Sequence, residues 1–314
     1  MALRKLSGVF APAITPFRAD LSPDTDRYLR HARWLLANGC AGLAAFGTNS
    51  EANSLDAGER MNLLEHLVAN GVSAEKLMPG TGCCALPDSV RLTRHAVSLG
   101  CSGVLMLPPF YYKGVSDDGL FRSYSEVIER VGDARLQVYL YHIPQVSQVP
   151  ISLGLIERLL KRYPETVAGI KDSAGDWNNT QALLTAFAST GFEIFAGSES
   201  FLLPTLRGGG VGCISATANV NPAAIHDLFA NWQEPNADQL QADVSATRLM
   251  LQKYQPLIAV WKAIVAEYSN DPEWARLRPP LDGLSAANRD ELVKTLRAAG
   301  FTMPGLTSAV EVGA

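Results

Sequence analysis

Short apolar, β-branched or small-residue runs recur at fairly even spacing along this chain, and that rhythm constrains the fold more than any other feature. The runs are VFAPAIT from Val9, GLAAFG from Gly42, KLMPGTG from Lys76, GVLMLPP from Gly103, LQVYLYHIP from Leu136, TVAGIKDS from Thr166, EIFAGS from Glu193 and VGCISA from Val211. Amphipathic segments lie between them, and strands that alternate with helices pair in parallel. Helix starts are marked by Ser22 to Asp26, by Pro87 and Asp88, and by Ser152. Eight strands and seven intervening helices within about 215 residues fit a (β/α)8 barrel, whose usual size is roughly 250 residues. An open doubly wound sheet is the rival, but it carries a glycine-rich phosphate fingerprint in its first strand-to-helix turn, and APAITPF has no glycine there. The expected architecture is therefore an α/β barrel over residues 1–222, C-terminal helices over 223–301 that complete and extend it, and a tail, 302–314, too small and polar to be well ordered.

With 47% apolar and 18% charged residues, the chain has enough apolar material for a large core. A net charge of -4 supplies no basic stripe for a phosphate backbone, so small molecules fit better than nucleic acid. Pro12 and Pro16 interrupt the N-terminal apolar stretch, which is neither a secretory core nor a membrane span, and the cytoplasm is the default location. Five cysteines, Cys40, Cys83, Cys84, Cys101 and Cys213, suit reduced thiols better than a disulfide framework. Cys83 and Cys84 would point to opposite faces of a strand, and no ligand spacing for zinc occurs, so neither a metal nor a cofactor is expected.

In such a barrel the C-terminal strand ends and the loops after them build the active site. Lys171, Tyr141, Thr48, Asn49 and Gly197 all fall there. Gly208 to Gly210, which resembles a phosphate loop, precedes a strand and reads as a turn on the opposite face. Lys171 closes the apolar run TVAGIK, which would bury its stem and place the amine near the barrel axis. Attack on a ketone needs a neutral amine, and an ordinary lysine at pH 7 is neutral to only about four parts in ten thousand, so desolvation must supply the rest. The alternative is a lysine that snorkels to solvent. Tyr141 would relay protons or simply pack, and Thr48 and Asn49 would hold a carboxylate or simply make a turn.

Together these residues resemble the dihydrodipicolinate synthase and N-acetylneuraminate lyase family of pyruvate-dependent class I aldolases. GTNSE at Gly47 is similar to the family's GTTGE, PPFYYKG at Pro108 to its tyrosine-bearing loop, YHIP at Tyr141 to YNxP, and GIKDS at Gly169 to the lysine strand. FAGSE at Phe195 and GCISATANVNP at Gly212 resemble the last two strand segments. The resemblance implies that Lys171 forms a Schiff base, Tyr141 shuttles protons with Thr48, and Thr48 and Asn49 bind the keto-acid carboxylate. It further implies that Tyr111, or its neighbour Tyr112, is donated across an interface of a homotetramer built as a dimer of dimers. Gly197 would leave room for substrate, and Ser173, His142 and Ile214 are further substrate contacts, with a structural hydrogen bond the competing role for His142. Glu51 would pin its loop rather than act as a base.

Val146 stands where dihydrodipicolinate synthases carry an arginine, and valine cannot replace a bidentate clamp. Asn49 in place of the family's usual threonine, with KDS closing the lysine strand, is most similar to the 4-hydroxy-2-oxoglutarate and 2-keto-3-deoxy-sugar-acid branches, and that resemblance implies cleavage of a 4-hydroxy-2-oxo acid or a 2-keto-3-deoxy sugar acid to pyruvate and an aldehyde. The alternatives are dehydration of a 2-keto-3-deoxy sugar acid, dihydrodipicolinate synthesis, and non-catalytic keto-acid binding.

Overall fold

The computed structural model describes residues 5–307. Seven short strands carry the sheet: β1 (Gly8–Ala11), β2 (Gly42–Leu43), β3 (Val104–Met106), β4 (Val138–His142), β5 (Val167–Asp172), β6 (Glu193–Ala196) and β7 (Gly212–Ile214). All neighbouring pairs are parallel, in the order β2-β1-β7-β6-β5-β4-β3. Residues 77–81 fill the remaining gap between β2 and β3. Met78 N donates to Leu43 O at 2.9 Å on one side, and on the other Leu105 N donates to Pro79 O at 2.9 Å. Parallel bridges at Leu43–Leu77 and Gly80–Leu105 thus close the ring into a (β/α)8 barrel. Pro79 explains why this position reads as bridges rather than a regular strand, because it has no N–H to give the ladder.

Helix starts follow from local chemistry. Asp24 accepts Arg27 N at 3.0 Å to cap the helix Thr25–Ala37, and Ser152 accepts Leu155 N at 3.0 Å to cap Leu153–Arg162. Pro87 lies in the first turn of Leu86–Ser98, where its missing N–H costs nothing. Cys83 and Cys84 occupy the bend before that helix rather than a strand, so opposite strand faces do not describe them.

Inside the barrel Phe10, Tyr139 and Phe195 meet edge to face, with centroids 5.6 and 6.0 Å apart. Beneath them the buried Glu193 accepts Tyr139 Oη at 2.7 Å and Leu6 N at 3.0 Å, which seals the N-terminal end. Burial raises the Glu193 carboxyl above the usual carboxylate range. The barrel interior at this end is a packed core rather than a pore.

Beyond β7 the helices Pro222–Ala230, Ala237–Leu251, Leu257–Ser269 and Ala286–Ala298 pack on the barrel. Leu292 and Leu296 are fully buried, worth about 1.5–3 kcal/mol each in docking the last helix. The segment after Phe301 is docked as well, contrary to the sequence expectation for its first residues. Met303 and Leu306 are buried, and Trp34 Nε1 donates to Pro304 O at 2.9 Å. Residues 308–314 of the expected tail lie outside the described residues.

A buried polar knot ties the first strand to the turn after the last. Asn219 Oδ1 accepts Ile14 N at 3.1 Å and lies 3.2 Å from His31 Nε2, while its Nδ2 donates to Pro12 O and Ala216 O. Complete burial pulls the His31 imidazole down to about 4, so it stays neutral in the folded protein. An unfolded histidine titrates near 6.5, so as pH falls from 6.5 through 4 the unfolded state takes up a proton that the folded state refuses. Stability attributable to His31 is therefore fully present above pH 6.5 and falls by on the order of 3 kcal/mol on acidification to about pH 4. Urea unfolding of the parent and of His31→Gln at pH 7 and pH 4 should show the smaller acid loss in the variant; equal losses would remove His31 from the account.

Candidate active site

Strand β5 sets the register that the site depends on. Val138 pairs with Val167 but Tyr139 pairs with Gly169, so Ala168 is an extra residue in β5, and beyond it Lys171 lies opposite Tyr141. Side chains opposite one another in a parallel pair share a face, and Tyr141 belongs to the apolar cluster inside the barrel. Lys171 and Tyr141 are 2% and 3% exposed. The Lys171 amine sits 4.3 Å from the centre of the Tyr141 ring, and Tyr141 Oη is 3.2 Å from Thr48 Oγ1. Lysine, phenol and threonine hydroxyl thus lie side by side, the amine over the ring face and the phenol oxygen in contact with the threonine hydroxyl. A cavity of about 20 Å3, room for a water-sized group, lies beside Thr48 and Tyr141. A wider groove, about 720 Å3, runs along the outer helices past Arg91, Arg94 and Arg130 and includes none of these groups.

Thr48 and Asn49 sit in a loop held under strain. Phe46 and Glu51, on either side, have φ of 58° and 55°, in the left-handed region, where a non-glycine residue stays only if its surroundings hold it. The surroundings here are specific. Thr15 Oγ1 donates to Ser50 O at 2.7 Å, Trp261 Nε1 donates to Asn49 Oδ1 at 3.2 Å, and Arg278 N donates to Glu51 Oε2 at 3.1 Å. Glu51 is buried and ion-paired with Lys262.

Lys262 is a second buried lysine, which the sequence reading passed over although it too interrupts an apolar run, LIAVWKAIVA. Burial lowers its amine to about 8 against the pull of Glu51, and it donates to Arg276 O at 2.7 Å. Its role differs from that of Lys171 because it is fully buried and consumed by a carboxylate and a carbonyl. Among the described residues Lys171 makes no ion pair, and its amine is left over an aromatic face at the barrel mouth.

Ser173 and Gly197 lie together next to the lysine: Gly197 N donates to Asp172 O at 2.7 Å, and a Cβ on Gly197 would come within 2.1 Å of Ser173 Oγ. Any residue larger than glycine at this position would thus collide with the end of β5. Ile214 ends β7 inside the barrel, fully buried. His142 is buried where its Nδ1 accepts Ile151 N at 3.0 Å, and burial lowers its ring below the ordinary histidine range despite Asp172 nearby. That hydrogen bond is structural, and it engages the side chain away from Lys171. Tyr111 and Tyr112 are 74% and 69% exposed on the loop before the helix Asp117–Val131, so neither completes the site of its own chain. Val146 is exposed on the turn Pro144–Ser147, and Gln145 Nε2 ties that turn to Ser173 O at 2.6 Å.

Among the described residues no helix is long and apolar enough to cross a membrane. The chain is 35% identical to a DapA-like lyase, itself described as uncharacterized, from Chloroflexus aurantiacus, over 93% of this chain and 95% of that one. Its fold matches the crystal structure of dihydrodipicolinate synthase from Agrobacterium tumefaciens with a TM-score of 0.84 and 30% identity, covering 93% of this chain and 99% of that one. It also matches YagE of E. coli K12, a member of the dihydrodipicolinic acid synthase family solved in complex with pyruvate, with a TM-score of 0.84 and 25% identity over 94% and 99% of the two chains. The family model described as the dihydrodipicolinate synthetase family matches residues 5–299. The chain therefore belongs to the dihydrodipicolinate synthetase family.

Proposed function

We propose that the protein is a Schiff-base aldolase that cleaves a 4-hydroxy-2-oxo acid or a 2-keto-3-deoxy sugar acid to pyruvate and an aldehyde. The observation that carries this reading is the buried Lys171 amine over the Tyr141 ring, with the phenol in contact with Thr48. The pyruvate complex of YagE supports a keto acid as the class of substrate.

The neutral amine of Lys171 adds to the C2 carbonyl to give a carbinolamine, and loss of water leaves an iminium. Tyr141 passes the protons these steps require, with Thr48 as the next hydroxyl in the relay. The iminium accepts the electron pair of the C3–C4 bond as the C4 hydroxyl gives up its proton. Aldehyde departs, the enamine is protonated at C3, and water releases pyruvate and restores the amine. Thr48 and Asn49 hold the carboxylate through this cycle. The exposed Tyr111, with Tyr112 packed against it at 5.4 Å between centroids, serves a neighbouring subunit's site in a homotetramer, which we place in the cytoplasm.

The second reading, dihydrodipicolinate synthesis, is favoured by the name of the Agrobacterium relative. It is opposed by Val146, which offers no charge to a second carboxylate. Lactate dehydrogenase coupled to NADH oxidation separates the readings. Pyruvate should appear from 4-hydroxy-2-oxoglutarate or 2-keto-3-deoxygluconate, while aspartate semialdehyde and pyruvate should not condense. A deoxygenated keto acid accumulating without pyruvate would make the protein a dehydratase, and condensation with the semialdehyde would make it a synthase.

A further inference from the structure

Trp261 lies on the helix Leu257–Ser269, outside the barrel and 212 positions from the residue it contacts. It is fully buried, and Lys262 beside it is ion-paired with Glu51 in the same strained loop, so the helix grips that loop at two adjacent residues. An indole N–H can only donate, so the group facing it must be an acceptor. This fixes the Asn49 amide, an assignment that is otherwise a matter of choice. Oδ1 is turned toward Trp261 at 3.2 Å, and Nδ2 is turned away. Among the described residues Nδ2 has no protein partner. The neighbouring Thr48 hydroxyl is already in contact with Tyr141. The loop therefore presents one hydroxyl committed to the proton relay and one amide donor with nothing to bind.

We propose that Trp261 is a positioning residue that makes Asn49 an obligate donor toward the carboxylate of the 2-oxo acid. The proposal rests on the keto-acid reading of the site given above. A threonine at position 49 would offer a freely rotating hydroxyl, able to donate or accept. The Trp261–Asn49 pair instead offers a donor only, farther from the backbone and locked in direction. A group that merely tethered the helix to the loop would need only the acceptor half of Asn49.

Asn49→Asp separates the two roles, because aspartate still accepts from the indole but turns the other end from donor to anion. Pyruvate is the probe, and the pyruvate concentration that half-labels Lys171 under borohydride is the readout, alongside thermal unfolding. Asn49→Asp should keep the melting temperature and raise the half-labelling concentration at least about tenfold, since a hydrogen bond to a charged group is lost and repulsion is added. Trp261→Phe should raise it about three- to tenfold in the parent and not further in an Asn49→Ala background, as expected for residues acting through one contact. A folded Asn49→Asp that labels like the parent would overturn the proposal. So would a Trp261→Phe effect that persists undiminished in Asn49→Ala, which would show the tryptophan acting on the loop at large. A parent that pyruvate fails to label at any concentration would overturn the Schiff-base reading itself, and the proposal with it. A labelled parent with unresponsive variants overturns the proposal alone.

Discussion

Lys171→Met should abolish turnover, with kcat falling on the order of 10⁵- to 10⁶-fold, as when a nucleophile that acts as a unit with its partners is removed. Methionine is close in length and volume to the lysine stem, and the site is 2% exposed, so packing is preserved. No ion pair is broken, because among the described residues Lys171 has none. The variant should therefore unfold at the same or a higher temperature than the parent, measured by circular dichroism beside the pyruvate-release assay. Lys262→Met is the informative contrast. There the loss of one ion leaves Glu51 buried without its partner, the kind of change that costs about 3–5 kcal/mol. An active Lys171→Met would sink the mechanism, whereas an inactive but unfolded one would move Lys171 into the structural class with Lys262.

The second largest effect is expected for Tyr141→Phe. The ring under the Lys171 amine stays, while the hydroxyl that meets Thr48 at 3.2 Å is lost. Losing a positioned proton carrier should lower kcat about 10²- to 10⁴-fold with little change in KM. The cost in stability should be no more than about 1 kcal/mol, the worth of one hydrogen bond. Steady-state kinetics decide it: a rise in KM at constant kcat would make Tyr141 a binding group and leave the proton relay without its central member.

The barrel was legible because its strands announce themselves locally. TVAGIKDS and LQVYLYHIP are apolar and β-branched enough to read as strands, and their pairing brings Lys171 opposite Tyr141. KLMPGTG was placed correctly, but Pro79 reduces its ladder to isolated bridges. Contacts between distant residues were not legible. Nothing local in WKAIVAEY says that its tryptophan meets Asn49 or that its lysine meets Glu51, and the only available signal was a charge inside an apolar run. The surroundings of Gly197 were hidden for a related reason. Its closeness to Ser173 comes from the pairing of β5 with β6, which no one-dimensional pattern displays. The docking of Met303 and Leu306 was likewise hidden, two apolar residues in a small-residue segment being too few to mark a face.

The most direct test of the central claim is reductive trapping of the intact enzyme with pyruvate and borohydride, followed by peptide mass analysis. The account predicts a pyruvate-derived adduct on the peptide that contains Lys171, abolished in Lys171→Met and retained at a reduced rate in Tyr141→Phe. No adduct, or an adduct confined to Lys262 or a surface lysine, would contradict it.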